Sequence, residues 1–168
     1  MKVTSAQANK LLRQLSDELS TLESREQNTR SFVAATSEDI ESVRPEYDYS
    51  DTQEKIITLE TKIRALKHAI NTFNTTTVVP DFDMTIDMML VYLPQLTHRK
   101  SRLARLKNAL PKERVDSYSR NSALIEYRYS NYPIEKANED YLAVVDELSR
   151  AQTALDYVNS TVTFDLDI

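Results

Sequence analysis

Apolar residues recur at alternating spacings of three and four positions in four separate stretches of this chain. A helix with that spacing carries one continuous apolar stripe, and such stripes pack against each other in coiled coils and helical bundles. The predicted helices span residues 4–28, 51–73, 84–110 and 133–158. The pattern therefore predicts a mainly α protein with an antiparallel coiled-coil or helical-bundle architecture of four long helices.

The second and fourth predicted helices carry the most regular stripes. In the second helix, the stripe consists of Ile56, Leu59, Ile63, Leu66, Ile70 and Phe73. In the fourth helix, it consists of Ile134, Ala137, Tyr141, Val144, Leu148, Ala151, Leu155 and Val158. Because neither stripe slips by a position, we expect these two helices to form the tightest part of the core.

The third predicted helix has an interrupted stripe. Pro94 lies inside it, where a proline removes a backbone hydrogen bond and clashes with the preceding turn at a cost of about 3 kcal/mol. We therefore expect either a kink or a break there, and a break would leave the helix in two pieces. Lys100 and Lys107 occupy stripe positions farther along. Charged residues in a stripe usually select one particular neighbour, so the third helix is predicted to carry the specificity of the protein.

The chain has 168 residues, the length of one domain, and contains no glycine, cysteine or tryptophan. Phosphate-binding P-loops, dinucleotide fingerprints and nucleophile elbows require glycine for positive φ or close backbone approach, so none exists here in standard form. The lack of cysteine excludes disulfides, thiolate metal sites and cysteine nucleophiles. Several large enzyme classes are therefore excluded, and we expect no cofactor.

The formal net charge is −5. A chain with this charge repels nucleic acid and anionic membranes at long range. No apolar run approaches the roughly 20 residues that a membrane-spanning helix requires, and the first residues lead directly into a polar helix. We therefore expect a cytoplasmic protein without membrane contact, for which nucleic acid is a poor general partner.

Four connecting stretches alternate apolar and polar residues as strands do, at positions 30–35, 75–79, 123–129 and 161–166. We expect them to pair into a small sheet that caps the bundle. Three helices are predicted to stop at asparagines, which tolerate left-handed backbone when glycine is missing. These asparagines are Asn28, Asn74 and Asn159. The acidic stretch 35–49 is predicted to be a mobile loop.

A basic run follows Pro94. It consists of Arg99, Lys100, Arg102, Arg105, Lys107, Lys112 and Arg114. Such a run binds phosphate or a nucleic-acid backbone in some proteins. The alternative, which we favour, is a solvated helix surface that faces acidic residues of the fourth helix. Those acidic residues are Glu135, Glu139, Asp146 and Glu147.

Tyrosines and arginines cluster between positions 118 and 132. They are Tyr118, Arg120, Tyr127, Arg128, Tyr129 and Tyr132. Alternating aromatic and guanidinium groups stack on bases or bind a protein partner. The alternative is a sheet face that packs on the helices or in a subunit interface. In a strand, Ile125, Tyr127 and Tyr129 share one face. The tyrosine and arginine cluster is the preferred recognition surface if it is exposed.

Candidate metal ligands are few. Asp81, Asp83 and Asp87 lie just before and inside the start of the third predicted helix, where they offer oxygen ligands or, as we expect, cap the helix. His68 and His98 lie on different predicted helices without a known ligand spacing. We predict no metal site, with His68, His98, Asp83 and Asp87 as the weak candidates.

The stretch Ile70-Asn71-Thr72-Phe73-Asn74-Thr75 resembles the Ile-Asn-x-x-Asn-Thr signature of the septicolysin-like family of small bacterial proteins. The leucine-rich first helix, the late Tyr118-Ser119-Arg120 and the placement of Leu155 and Asn159 before a short leucine-terminated strand are also similar to that family. Ser160 stands where the family has tryptophan. The resemblance implies a helical protein with small β elements that forms a homo-oligomer built from dimers, with no established activity.

These features favour a non-enzymatic structural or interaction protein that self-assembles through its heptad-patterned helices. The alternative is a nucleic-acid or nucleotide binding module that uses the basic third helix and the tyrosine and arginine stretch 118–132. An enzyme with a histidine and carboxylate site is the third possibility, although no spacing distinguishes such a site.

Overall fold

The structure is a computed structural model that describes residues 1–115 and 125–167. It is mainly helical with small antiparallel strand pairs, which confirms the predicted class. The helices are α1 (Ser5–Thr29), α2 (Ile40–Val43), α3 (Tyr49–Thr76), α4 (Ile86–Lys107) and α5 (Ile134–Thr161). The strands are β1 (Lys2–Thr4), β2 (Val78–Val79), β3 (Met84–Thr85), β4 (Lys112–Val115), β5 (Glu126–Tyr129) and β6 (Thr163–Asp165).

The chain divides into two compact units. Unit 1 consists of Met1–Thr77 together with Tyr157–Ile168, and unit 2 consists of Val78–Asp156. Helix α5 begins in unit 2 and ends in unit 1. Unit 1 is therefore built from two separate segments of the chain, and unit 2 is the segment between them.

Unit 1 contains an antiparallel hairpin of α1 and α3, which pack on each other along their lengths. Ala8 near the start of α1 lies in one buried cluster with Leu66 and Ile70 near the end of α3. At the other end, Glu26 of α1 accepts hydrogen bonds from Tyr47 and Gln53, close to the start of α3. We call this second end, with the connection between the helices, the tip of unit 1.

The opposite end of the hairpin, the base of unit 1, is closed by strands from both ends of the described chain. Strand β1 pairs antiparallel with β6, with Val3 opposite Phe164. The ring of Phe164 stacks on Phe73 of α3 with 4.6 Å between centroids. Leu166 is buried in the same cluster as Val3 and Leu66. The base is therefore covered by a third element, the β1–β6 strand pair.

Unit 2 contains a second antiparallel hairpin, formed by α4 and α5. Tyr92 near the start of α4 donates a hydrogen bond to Glu147 in the middle of α5. At the other end of α4, the Tyr132 hydroxyl donates to the Leu106 carbonyl at 2.8 Å. The stripe residues Ile86, Met89, Leu96, Leu103, Ala137, Val144, Leu148, Ala151 and Leu155 are buried. Each long helix thus finds an antiparallel neighbour within one chain.

The helix ends differ from the prediction. The three helices run past the asparagines and end one or two residues later, at Thr29, Thr76 and Thr161. The hydroxyl of each of these threonines donates to the carbonyl four residues earlier. The asparagine stops are therefore wrong. After α3, for example, the chain leaves the helix through the extended residue Thr77, so no left-handed residue is needed.

In the described ranges, only Asp81 and Asp83 have positive φ, at 68° and 51°. Both lie in the turn between β2 and β3. Aspartate is one of the residues that tolerate left-handed backbone, and here it replaces the glycine that the chain lacks. Asp81 and Asp83 therefore shape a β-hairpin turn rather than cap a helix, which corrects the prediction for these two residues.

The β elements were predicted in part. Strands form inside or next to three of the four expected stretches, but residues 30–35 form none. The described strands make three separate two-stranded sheets, β1–β6, β2–β3 and β4–β5, instead of one capping sheet. Strands as short as two to four residues carry too little alternation to be recognised in the sequence.

Helix α4 continues through Pro94 as one element, so the prediction of two pieces is wrong. The carbonyl left without its hydrogen-bond donor is that of Leu90, four residues earlier. Leu90 is 52% exposed and Pro94 is also exposed, so water reaches this part of the helix. The lost backbone bond therefore faces solvent rather than the core.

Candidate interaction surfaces

The α1–α3 hairpin leaves an apolar groove incompletely covered toward the tip. Leu15, Leu19 and Leu22 of α1 and Ile63 of α3 are all only half-buried, although each lies on a heptad stripe. Ala8, in contrast, has no exposed surface at the base. Two paired helices by themselves cover each other's stripes on one side only. We call this surface the open groove.

Charged residues of both signs border the open groove. One cleft at these helices is lined by Leu22 and Leu59 with Glu18, Arg25, Glu54, Lys55 and Lys62. A second cleft is lined by Leu19 and Ile63 with Glu60, Arg64, Lys67, His68 and Asn71. An apolar centre with a mixed charged border is the usual composition of a surface that binds another protein.

Strands β4 and β5 form a two-stranded ribbon whose two faces differ in chemistry. Lys112 lies opposite Tyr129, and Arg114 lies opposite Tyr127. Directly opposed residues of an antiparallel pair point to the same face, so these four side chains share one face, which we call the ribbon face. The other face carries Glu113, Arg128, Val115 and Glu126. The ribbon face therefore combines two cations and two tyrosines without an acid.

Lys112 organises the ribbon face. Its ammonium nitrogen lies 4.0 Å from the ring centroid of Tyr127 and 5.6 Å from that of Tyr129. This geometry is a cation–π contact. The two rings remain 44% and 62% exposed. The preferred recognition surface of the sequence is therefore exposed, and the strand register adds Lys112 and Arg114 to it.

The basic run lies along the second half of α4 and continues into β4. None of its seven residues forms an ion pair in the described ranges. The acids of α5 bind elsewhere: Glu139 and Asp146 pair within α5, and Glu147 accepts from Tyr92. Within residues 1–115 and 125–167, no ion pair joins the basic run to these acids, and its role as a solvated surface that faces α5 stays a prediction.

Lys100 and Lys107 are half-buried, as their stripe positions require. The ammonium of Lys107 lies 4.0 Å from the ring centroid of Tyr141 on α5. Arg99, Arg102 and Arg105 are exposed. Arg99 and Arg102 also line a shallow cleft beside Pro94, together with Gln95 and His98.

The tip of unit 1 carries a cluster of acidic residues. The sequence predicted this segment only as a mobile loop. Between positions 35 and 51 there are six carboxylates and one basic residue, Arg44. The carboxylates are Glu38, Asp39, Glu41, Glu46, Asp48 and Asp51. All six are exposed. We call this segment the acidic tip.

Hydrogen bonds hold the acidic tip in place. Asp39 accepts from the backbone at the start of α2, and Asp48 does so at the start of α3. Glu41 forms a two-pronged ion pair with Arg44, with the hydrogen bonds at 2.9 and 2.8 Å, and this lowers the pKa of the Glu41 carboxyl. Glu46 has no such partner in the described ranges. The mobility of this segment stays a prediction.

Each hairpin is joined by one tyrosine–glutamate hydrogen bond. In unit 1, Tyr47 donates to Glu26 at 2.9 Å, and its pKa is raised by burial and by this bond. In unit 2, Tyr92 donates to Glu147, and this bond is the main reason why its pKa is raised, with burial second. In both cases the neutral phenol is the form that the fold stabilises.

The candidate metal ligands lie on several different elements. His68 lies on α3 in unit 1 and His98 on α4 in unit 2, and both are exposed. Asp87 accepts a hydrogen bond from Thr85, and Asp83 lies in the β2–β3 turn. In the part of the chain that the structure describes, no three acidic or histidine side chains are grouped as metal ligands. Nor does that part contain a helix long and apolar enough to span a membrane.

Two predicted site residues, Tyr118 and Arg120, lie outside the described residues. Tyr132 is half-buried and joins the hairpin through its hydrogen bond to Leu106.

Asn74 and Asn159, which carry the family resemblance, each bury a side-chain oxygen without a hydrogen-bond partner in the described ranges. The open groove and the acidic tip were missed as sites, although six carboxylates in a short stretch were a visible signal.

Comparison with known proteins identifies a shared fold but no function. No protein-family model and no curated protein matches this sequence. A crystal structure described as that of a functionally unknown conserved protein from Corynebacterium diphtheriae is similar over 98% of this chain and 100% of that chain. The TM-score is 0.59 and the sequence identity is 14%. At that identity the likeness shows the fold alone.

Proposed function

We propose that this protein is a non-enzymatic interaction protein that self-associates through its heptad-patterned helices, with the open groove as the main contact. The observation that carries the proposal is the half-buried state of Leu15, Leu19 and Leu22, which lie in heptad register on α1. Covering such side chains contributes roughly 25 cal/mol per Å² of apolar surface. A second copy supplies the missing helices, so that two hairpins form a four-helix, coiled-coil-like assembly.

The border of the groove supports a symmetric pairing. Glu18 and Glu54 lie on it together with Arg25, Lys55 and Lys62. In a twofold dimer, the same patch meets itself in the opposite direction, and a border with both signs of charge is then complementary to itself. Such an assembly agrees with the homo-oligomer that the resemblance to the septicolysin-like family implies, and that family assignment stays a prediction.

The test is the mass of the protein in solution. We expect size exclusion with light scattering at micromolar concentration to give at least twice the 19.4 kDa of one chain. Leu19→Glu places a charge in the open groove and should give the monomer mass, whereas Ser20→Glu, on the adjacent exposed position, should not. Circular dichroism checks that both variants remain helical. A wild-type protein that is monomeric at these concentrations would contradict the proposal.

A further inference from the structure

The ribbon face has positive charge that nothing in the described chain neutralises. Lys112 and Arg114 form no ion pair in the described ranges. Between positions 99 and 115, seven basic residues stand against one acid, Glu113. Opposite charge at such a surface would both steer a partner toward it and fix how that partner docks.

The ribbon face also has apolar surface that lacks cover. Tyr127 and Tyr129 are exposed, and Leu110 and Ile125 beside the ribbon are 62% and 63% exposed. A two-stranded ribbon is marginally stable by itself in water and usually needs a further surface to pack against. Exposed tyrosines beside unpaired cations are typical of the centre of a protein–protein contact.

The acidic tip has the complementary composition. The segment with these six carboxylates also carries exposed apolar side chains: Ile40 at 54%, Val43 at 37% and Tyr49 at 65%. Asp39 and Asp48 cap helices, but capping keeps their negative charge. The tip therefore presents exposed apolar and acidic side chains in one segment, as the ribbon face presents tyrosines beside positive charges.

We propose that the ribbon face of one copy of this chain docks on the acidic tip of a second copy. The inference rests on the proposed function, since it takes the chain to self-associate, and it adds a second, polar contact to the open groove. Lys112 and Arg114 bind carboxylates of the tip in charge-assisted hydrogen bonds. Tyr127 and Tyr129 pack on the exposed apolar residues of the tip.

A second copy fits this face better than a nucleic acid does. The ammonium of Lys112 already lies over the ring of Tyr127 at 4.0 Å, where a base would have to stack. A carboxylate binds Lys112 without displacing it. Each copy brings one ribbon and one tip. In a closed assembly every ribbon therefore has a tip to bind.

The test reverses charge on each side separately. One variant carries Lys112→Glu with Arg114→Glu, and another carries Glu38→Lys with Glu46→Lys, which leaves the helix caps intact. We expect each to raise the dissociation constant of self-association, measured by analytical ultracentrifugation, by at least about tenfold. An equimolar mixture of the two variants should recover tight association, because each ribbon then meets a tip of opposite charge.

Lys10→Glu with Arg13→Glu is the matched control, since it makes the same change of charge on the exposed side of α1. It should leave the dissociation constant within about twofold of the wild type. Raising the salt from about 50 to about 500 mM should weaken the wild-type association and leave the ribbon variant much less affected. If the ribbon variant loses its fold, the tip variant decides the question, because it does not alter the ribbon.

The outcomes separate this inference from the proposed function. If the wild type is a monomer, the proposed function and the ribbon–tip contact are both contradicted. If it self-associates but neither reversal weakens association, or the mixture does not recover it, the ribbon contact is overturned and the open groove stands. Retention of single-stranded oligothymidylate by the wild type, lost in the ribbon variant, would assign the face to nucleic acid and overturn the second-copy contact.

Discussion

The two hairpins follow the same heptad rhythm but bury it to different degrees. In α5, six of the eight stripe residues are buried, including Ala137 and Ala151. In α1, the stripe beyond Ala8 consists of leucines, and these stay half-buried. Half-buried leucines on a stripe leave apolar surface that a further element or molecule would cover.

The hairpins also differ in charge. The end of α4 and the ribbon are basic, and the tip between α1 and α3 is acidic. A stripe that lacks cover and a charge that lacks a counterion both indicate a surface that is completed by another molecule. The tip of unit 1 and the ribbon of unit 2 are therefore the two surfaces that the proposed second contact would join.

Truncation of buried leucines should give the largest changes in the free energy of unfolding. It should also show whether the two units unfold separately. Leu66 in unit 1 and Leu96 in unit 2 have no exposed surface. We expect Leu66→Ala and Leu96→Ala each to lower the free energy of unfolding by about 3 kcal/mol, measured by urea denaturation. Hydrogen exchange should accelerate mainly in the unit that carries the change. Equal acceleration in both units would show that they unfold as one.

Replacement of the proline inside α4 should have a smaller effect of opposite sign. Pro94→Ala restores the backbone donor to the Leu90 carbonyl and removes the ring clash. It also makes the unfolded chain more flexible, which offsets part of the gain. We expect a net stabilisation of about 1–2 kcal/mol in thermal unfolding. A loss of stability would mean that the ring of Pro94 is bound in a contact between copies.

Removal of the tyrosine–glutamate hydrogen bond of unit 2 should give the smallest change in the free energy of unfolding. That change should depend on pH. Tyr92→Phe should cost about 1 kcal/mol at neutral pH, because the half-buried Glu147 loses its donor. The folded state raises the pKa of Tyr92, so this contribution is complete below pH 10, the ordinary pKa, and is lost as the pH rises through the folded-state pKa.

The measurement for this bond is urea denaturation of wild type and variant at several pH values. The difference between the two should shrink above pH 10. Tyr47→Phe in unit 1 is the matched variant, since the pKa of Tyr47 is raised through Glu26 and burial in the same direction. A difference that stays constant up to strongly alkaline pH would contradict the role of the Tyr92 phenol.

The helices could be predicted because heptad periodicity is local in the sequence. The ends of the helices could not be predicted in the same way. The helices end at threonines whose hydroxyls bond to backbone carbonyls, and at an extended residue after α3, rather than at the asparagines. The ribbon face was predicted in half: Tyr127 and Tyr129 share a face by alternation, but Lys112 and Arg114 join them only through the register of β4 and β5. The open groove could not be predicted, because periodicity shows which residues form a stripe and not how many helices cover it.

The pairing of β1 with β6 has a consequence for how the chain folds. Unit 1 cannot close its base until the segment from Tyr157 onward is available, although α1 and α3 form most of that unit. Once unit 2 is compact, the long loop that Val3 and Phe164 must close is effectively shorter, which lowers the entropic cost of closure. The inserted unit thereby assists the folding of the unit that surrounds it in sequence.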